Sequence, residues 1–357
     1  RLITRLQQSS SSNEPAPDIF RIHNTWIPKF YQYLYALPSS IMSAQQYSDA
    51  FYPTAVDDLT AKDGNIYAIP LEIDGLMIFY NKQLLAEEGA SKPPTDWDSL
   101  IELAQDLTKK DSAGRITQAG LAIGTSRNIL HSAEIFSFLL LQEGVSIIDE
   151  TRTSVTLNTS KIASILNTYT NFASGETAIW SSDLKNDLEM FFEGKLAMMI
   201  APSWRTFDII TASPSTEFDT APLPQLAANQ DPVYFSTYWA EAVSKSSEYP
   251  EEAWKFIKFL AQKESQMTMY SNASKIRAFG EPYSLKELNS EMAGKKYVSA
   301  IAEMAPYMQS WQMGDETFVK TAINEAITAV VESGDSASTA LKKAEDDIND
   351  QLAQTNQ

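Results

Sequence analysis

Three observations predict an α/β protein of more than one domain. The 357 residues, 43% of them hydrophobic, are enough chain to bury a sizeable core and to fill two domains. Short apolar runs rich in Ile, Leu, Tyr and Phe read as buried strands, among them Ile66 to Leu71, Leu76 to Tyr80 and Leu196 to Ile200. Between the strands lie stretches with apolar residues at three- and four-residue spacing and helix-start signals, so both element types recur along the chain.

Composition removes several function classes. With 28 basic against 46 acidic residues the formal net charge is −18, which argues against binding a polyanion such as nucleic acid. There is no cysteine, so disulfides, thiolate metal sites and a cysteine nucleophile are excluded. No run of 18 apolar residues is present to span a bilayer. No signal peptide or lipid-attachment cysteine opens the chain, so Arg1 reads as a processed or truncated start.

In chain order, Leu2, Ile3 and Leu6 read as the last turns of a helix, followed by a polar loop from Ser9 to Glu14. The stretch from Ala16 to Trp26 reads as a short buried strand followed by a polar and aromatic turn, with Asn24 and Trp26 near its end. The extended segments 66–71 and 76–80 are joined by an acidic turn holding Glu72 and Asp74. Thr95 is placed to cap a helix, with Asp98 three residues on as the capping-box acid, and Trp97, Leu100, Ile101, Ala104 and Leu107 share one face. A strand at 120–123 and a buried helix at 129–141 follow, then a helix marked by Leu184, Leu188, Phe191 and Phe192. The strand 196–200 stops at Ala201-Pro202-Ser203-Trp204-Arg205. Pro250 opens a helix with Glu251 and Glu252 at its positive end, and Ala253, Phe256, Ile257, Leu260 and Ala261 form its expected buried stripe. Two closing helices carry Ala322, Ile323, Ala326, Ile327 and Val330, then Leu341, Ala344, Ile348 and Leu352, with a break at Ser333-Gly334-Asp335.

Three motifs in this order carry a family resemblance. The first is Tyr67-Ala68-Ile69-Pro70, a carboxylate, and Tyr80-Asn81-Lys82; the second is the helix start Pro94-Thr95-Asp96-Trp97-Asp98. The third is Phe191-x-x-Gly194-Lys195-x-Ala197-Met198 followed by Pro202-Ser203-Trp204. With Asp219 to Pro224 and Tyr238 to Lys245, the chain from Asp18 onward resembles the extracellular solute-binding proteins of ABC sugar importers (family 1, maltose-binding-protein-like).

The resemblance implies a two-lobed, type II periplasmic-binding-protein-like fold with the ligand cleft between lobes and hinge crossings. The lobes would be residues 1–82 plus 241–298 and residues 83–240 plus 299–357. In the family one more strand and a helix start precede Asp18, so the first lobe is expected to show an uncovered sheet position and an exposed edge. The implied function is extracytoplasmic binding of a carbohydrate by a monomer, lipid-anchored in its precursor, that delivers the ligand to an ABC permease by hinge closure. No cofactor or metal is implied. A polyol or peptide ligand is the nearest alternative; a secreted glycan-processing enzyme and a scaffold with a vestigial cleft are the others.

Enzyme motifs are missing from the chain: there is no G-x-S-x-G elbow, phosphate loop, dinucleotide glycine pattern or zinc-protease helix. Only His23 and His131 exist, and among 46 carboxylates any glycosidase dyad can be drawn, so such a pairing has no weight. A sugar offers apolar C–H faces and a rim of hydroxyls, which aromatic platforms, carboxylates, amides and Arg bind. For a single Trp, core packing is the commoner use. By the resemblance Trp204 stacks on the sugar, and Asp74 is the ligand-binding carboxylate, with a hinge turn as its structural alternative. Trp239, at a crossing both lobes reach, and Trp26 stand between ligand and packing roles, as Glu72 does between ligand and turn. Asn24 is a hydroxyl binder if its loop faces the cleft; Tyr238 and Trp311 complete the aromatic candidates. Arg205 binds hydroxyls or pairs with the acidic surface. Arg277 reads as structural, and Trp97 and Trp254 as packing residues.

Overall fold

The structure, a computed structural model, describes residues 17–226 and 231–355. The helix end expected at Leu2, Ile3 and Leu6 and the loop from Ser9 to Glu14 lie outside the described residues. The strands are β1 (Ile19–His23), β2 (Ala68–Pro70), β3 (Leu76–Asn81), β4 (Lys109–Lys110), β5 (Ile116–Leu121), β6 (Leu196–Pro202), β7 (Phe218–Ala221), β8 (Tyr234–Phe235), β9 (Trp239–Val243) and β10 (Met308–Gln309). They form two main sheets, each at the centre of one lobe, and a small ribbon.

The first sheet is antiparallel in the order β1-β9-β2, with Ile22 opposite Ala240 and Ala68 opposite Ala242. Among the described residues β1 is paired on one side only, by β9. The second sheet runs β4-β5-β6-β3-β7, with β5 and β6 parallel and the other neighbours antiparallel. Its inner strands β3 and β6 are buried at every position. That is why their sequences run apolar without alternation: both faces are covered. The helices Ser132–Gln142, Ser160–Asn171, Glu316–Thr328 and Ala337–Thr355 pack on one another beside this second sheet, while Pro53–Leu59 and Pro250–Leu260 pack on the first.

The element readings hold with local shifts. Helix Trp97–Asp106 is capped by Asp96, whose Oδ1 accepts from the Ser99 N–H at 2.9 Å, rather than by Thr95. The helix therefore begins one residue later than a cap at Thr95 would set it. In helix Pro250–Leu260 the buried residues are Ala253, Trp254 and Ile257, and Phe256 is exposed. Trp254, fully buried, takes the inward direction, and the turn of the helix carries Phe256 out of the stripe. The break between the closing helices is Gly334, whose φ of 73° is open to glycine without strain.

Among the described residues the chain passes between the sheets three times, and the three passages lie side by side. The first, between β2 and β3, spans Leu71 to Gly75, so residues 76–82 belong with the second sheet rather than the first. Gly75 bridges Ser236 in the second passage, and the Thr237 N–H donates to the Asp74 carbonyl at 2.9 Å. The third passage joins through β8 and β10, which run parallel, and through the Ser236 N–H on the Gln309 carbonyl at 2.9 Å. Gly75 is needed because a Cβ there would stand 2.3 Å from the Phe235 carbonyl oxygen and 2.7 Å from the Met308 methyl. Gly75→Ala is expected to destabilise the protein by roughly 1–3 kcal/mol through overpacking against backbone. Urea unfolding checks this; an unchanged midpoint would mean that the crossing is looser than its geometry.

Candidate functional site

A cavity of about 300 Å³ opens between the lobes, at the lower end of ligand-pocket sizes. From the first-sheet side it is lined by Arg21 of β1, Glu72, Trp239 of β9, and the loop residues Arg277, Phe279 and Glu281. That loop is fixed to the first passage by Ser284 Oγ donating to the Pro70 carbonyl and by the Ile73 N–H donating to the Pro282 carbonyl. From the other side come Ser203, Trp204 and Phe207, with Asp74 and Thr237 of the passages at the back.

Trp204 is placed by the end of β6. Pairing of Leu76 with Pro202 sets the start of β3 against the end of β6, which brings Ser203 beside Asp74. Ser203 Oγ donates to Asp74 Oδ2 at 2.8 Å and the Ser203 N–H to Oδ1 at 3.2 Å. The next residue, Trp204, precedes helix Arg205–Ala212 and is 44% exposed. The Arg205 guanidinium covers one face of its indole at 4.0 Å, a cation–π contact, and His131 meets it edge-on at 6.0 Å. Arg205 also pairs with Asp208 at 2.9 Å. Phe207, on the same helix, meets Phe279 across the cleft with ring centres 4.6 Å apart.

Trp239 begins β9 opposite His23 of β1 and is 39% exposed. Its ring stands edge-on to His23 and to Trp26, both at 5.3 Å, and its backbone N–H donates to Glu72 Oε1 at 3.2 Å. Trp26 stacks on Phe30 at 5.5 Å and donates its indole N–H to Glu316 at 2.8 Å. Glu316 leads into a charged row on the second lobe: Lys320 lies 2.5 Å from it and 2.6 Å from Glu134, which contacts His131 at 3.2 Å. Burial opposes ionisation of Glu134, yet His131 and Lys320 outweigh it and hold the carboxyl down at about 2. Burial lowers His23 to about 4, so its ring is neutral near pH 7 despite Glu316.

The cavity carboxyls behave the other way. Burial raises Asp74 to about 7 although Gly75 and Ser203 donate to it. Burial and the neighbouring Glu281 push Glu72 well above the usual carboxylate range. Arg21 pairs with Glu241 at 2.8 Å and Arg277 with Glu281 at 2.7 Å. The arrangement offers aromatic surface on both lobes and a mixed set of hydrogen-bond donors and acceptors, which suits a polar ligand with apolar faces.

The family model described as bacterial extracellular solute-binding protein matches residues 2–281. The chain belongs to the bacterial extracellular solute-binding proteins. The diacetylchitobiose binding protein DasA of Streptomyces coelicolor is 24% identical, over 96% of this chain and 79% of its own length. A maltooligosaccharide ABC transporter solute-binding lipoprotein of Streptococcus pneumoniae is also 24% identical, over 77% of this chain and 67% of its own. Among solved structures, a cyclo/maltodextrin-binding protein complexed with maltotetraose superposes with a TM-score of 0.79 at 21% identity, covering 100% of this chain and 88% of that one. The cyclic α-maltosyl-1,6-maltose binding protein of Arthrobacter globiformis gives 0.77 at 20% identity, covering 99% and 87%. The fold is thus the two-lobed type II fold, and the family places this solute-binding protein outside the cytoplasm. No helix among the described residues is long and apolar enough to cross a membrane.

Of the residues singled out from sequence, the structure brings Glu72, Asp74, Trp204 and Trp239 to the cavity wall, with Trp26 and Arg205 packed behind the two tryptophans. Three turn inward instead. Asn24 is fully buried, its amide donating to Asp58 and Ser310; Tyr238 donates its hydroxyl to Asp58; Trp311, 4% exposed, donates to Ser137. Arg277, read as structural, lines the cavity. Sequence reasoning missed Arg21, Ser203, Phe207, Phe279 and Glu281. Arg21 had a usable signal, a charge between Phe20 and Ile22 on a strand whose neighbours face the core. Phe279 and Glu281 sit on an irregular loop without periodicity and had none.

An aspartate held at about 7, against the ordinary 3.8, keeps a proton that the unfolded chain has released. The stability it contributes is full below about pH 4 and is lost as pH rises through about 7. Glu72 and Asp58 (about 6) are raised and act in the same direction, whereas His23, lowered to about 4, acts in the opposite one. Asp74→Asn is therefore expected to gain on the wild type by on the order of 2–4 kcal/mol between about pH 5 and about pH 8. Unfolding midpoints of both proteins across that range measure this gain, and parallel pH profiles would refute the buried, protonated Asp74.

Proposed function

We propose that the protein binds a carbohydrate in the interlobe cavity and delivers it to an ABC importer permease by hinge closure. The observation that carries this reading is the pair of half-exposed tryptophans, Trp204 on one lobe and Trp239 on the other, facing one cavity that also presents buried carboxyls and two arginines. Flat aromatic surface takes the C–H faces of a sugar ring, and the acids and guanidinium groups take its hydroxyls. The sugars in the names of the relatives support the same class. The protein performs no chemistry on the ligand, acts as a monomer, and with its net charge of −18 does not engage nucleic acid. The lobes are divided as the sheets divide the chain, the first boundary lying in 71–75 instead of after residue 82. A polyol ligand is the closest second reading, since it offers the same hydroxyls, but it would leave the two indole faces without a ring to stack on.

Thermal unfolding against mono- and oligosaccharides, polyols and peptides tests this, because a ligand that binds only the folded state raises the midpoint with saturation. A rise with a sugar, returned unchanged, is the expected result. Trp204→Ala should weaken that binding by roughly tenfold or more, the loss of one stacked aromatic, while leaving the unliganded midpoint close to wild type because the side chain is 44% exposed. A peptide as the stabilising ligand, or a sugar whose binding ignores Trp204, would overturn the reading.

A further inference from the structure

We propose that the cleft is a pocket walled at both ends, which holds only about one or two rings of a saccharide, and that Phe207 and Phe279 are the residues that set this limit. The proposal rests on the carbohydrate reading of the cleft and narrows it to short ligands and chain ends.

A cleft that holds a sugar chain along its length must be open where the chain runs out. Here contacts between the lobes bridge it on both sides. On one side the Phe207 ring of the second lobe meets the Phe279 ring of the first with centres 4.6 Å apart, and the Arg277 guanidinium lies 5.1 Å from the Phe207 centre. Rings at that spacing touch, so no sugar ring passes between them. Phe279 is 3% exposed, and its loop is pinned to the first passage by the Ile73 N–H on the Pro282 carbonyl at 3.0 Å. The wall is therefore fixed from the first-lobe side. On the other side, beyond Trp239, the Trp26 indole N–H donates to Glu316 of the second lobe at 2.8 Å, and Lys29 pairs with Asp315 at 2.5 Å. From Glu316 the row of Lys320, Glu134 and His131 leads back to the edge of Trp204.

Volume and spacing set the length. The cavity of about 300 Å³ lies at the foot of the range for ligand pockets, which limits the enclosed part of a ligand to about one or two sugar rings. Arg205 already covers one face of the Trp204 indole, so one face is left for a ring. Phe207 follows Trp204 by three residues, a rise of about 4.5 Å along helix Arg205–Ala212. A ring stacked on the indole and directed along that helix therefore reaches the phenyl wall before a second ring fits. The side open to solvent lies between Trp204 and Trp239, 44% and 39% exposed. A longer chain inserts only its end there and leaves the rest in water.

The test is a length series. Titration calorimetry compares the monomer, dimer, trimer and tetramer of α-1,4-glucan, β-1,4-glucan, β-1,4-mannan and chitin on the wild type and on Phe207→Ala. In a series that binds, the wild type is expected to hold the monomer or dimer best, with the trimer and tetramer no more than about twofold tighter than the dimer. In Phe207→Ala, whose fold is checked by its unliganded midpoint, the next longer sugar should gain about fivefold on the length that the wild type holds best. That is one net hydrogen bond's worth for a ring that now passes the wall. A Phe207 that only supplies contact area predicts something else, an equal weakening at every length, and that result would overturn the proposal. Wild-type affinity climbing severalfold with each ring through the tetramer would overturn it without the variant, and the carbohydrate reading would then stand alone. No binding in any series removes both.

Discussion

The fully buried carboxylate of Asp58 ties the crossing region to the first lobe. Its Oδ2 accepts from Asn24, Thr54 and Tyr238 at 2.9–3.0 Å, and its Oδ1 accepts from Ser310 at 2.6 Å. These donors come from the turn after β1, from helix Pro53–Leu59, and from the second and third passages between the lobes. One side chain therefore gathers the strands that fix where the lobes can pivot. Burial still raises Asp58 to about 6 against all four donors, a measure of how little solvent reaches it. Removing the carboxylate would take one acceptor from four groups at once, with Asn24 and Thr54 keeping Ser310 and Ser236 as second partners.

The same passages build the site. Asp74 belongs to the first passage and holds Ser203 at the end of β6, while its carbonyl accepts from Thr237 of the second. Two residues further on, Trp239 returns its backbone N–H to Glu72. Pivot and cavity are thus neighbours on one short stretch of backbone, so a contact made in the cavity acts on the passages without any relay. Gly75 marks where the three passages meet, the absent side chain leaving room for Phe235 of the second and Met308 of the third.

The parts of this arrangement that the sequence made legible are those set by local rules. The unbroken apolar runs of β3 and β6 announced central strands, and the motif Pro202-Ser203-Trp204 placed one aromatic in the cavity. What stayed hidden depends on partners distant in the chain. Asn24 and Tyr238 look like free polar groups at turns, and only the position of Asp58 shows that their hydrogen bonds are already used. Trp311 stands in a stretch with no periodicity, and its burial follows from the helix that carries Ser137. Glu281 becomes a site residue only because its loop folds back on the first passage to face Glu72. Hydrophobic period reports which face of an element is buried; it carries no information on which buried acid a turn residue will meet.

Closure must draw its free energy from groups that the ligand touches on both lobes, because contacts to one lobe alone stabilise open and closed forms equally. Here the first lobe offers Trp239, Arg21 and the Glu72–Glu281 pair, and the second offers Trp204 and Phe207. Reversing a hundredfold preference for the open form takes about 5.5 kcal/mol of differential binding. An aromatic contact supplies about 0.5–1.5 kcal/mol beyond area burial, and a hydrogen bond to a charged group about 1.5–3 kcal/mol. Burial raises both Glu72 and Asp74, so what either group can donate or accept changes with pH.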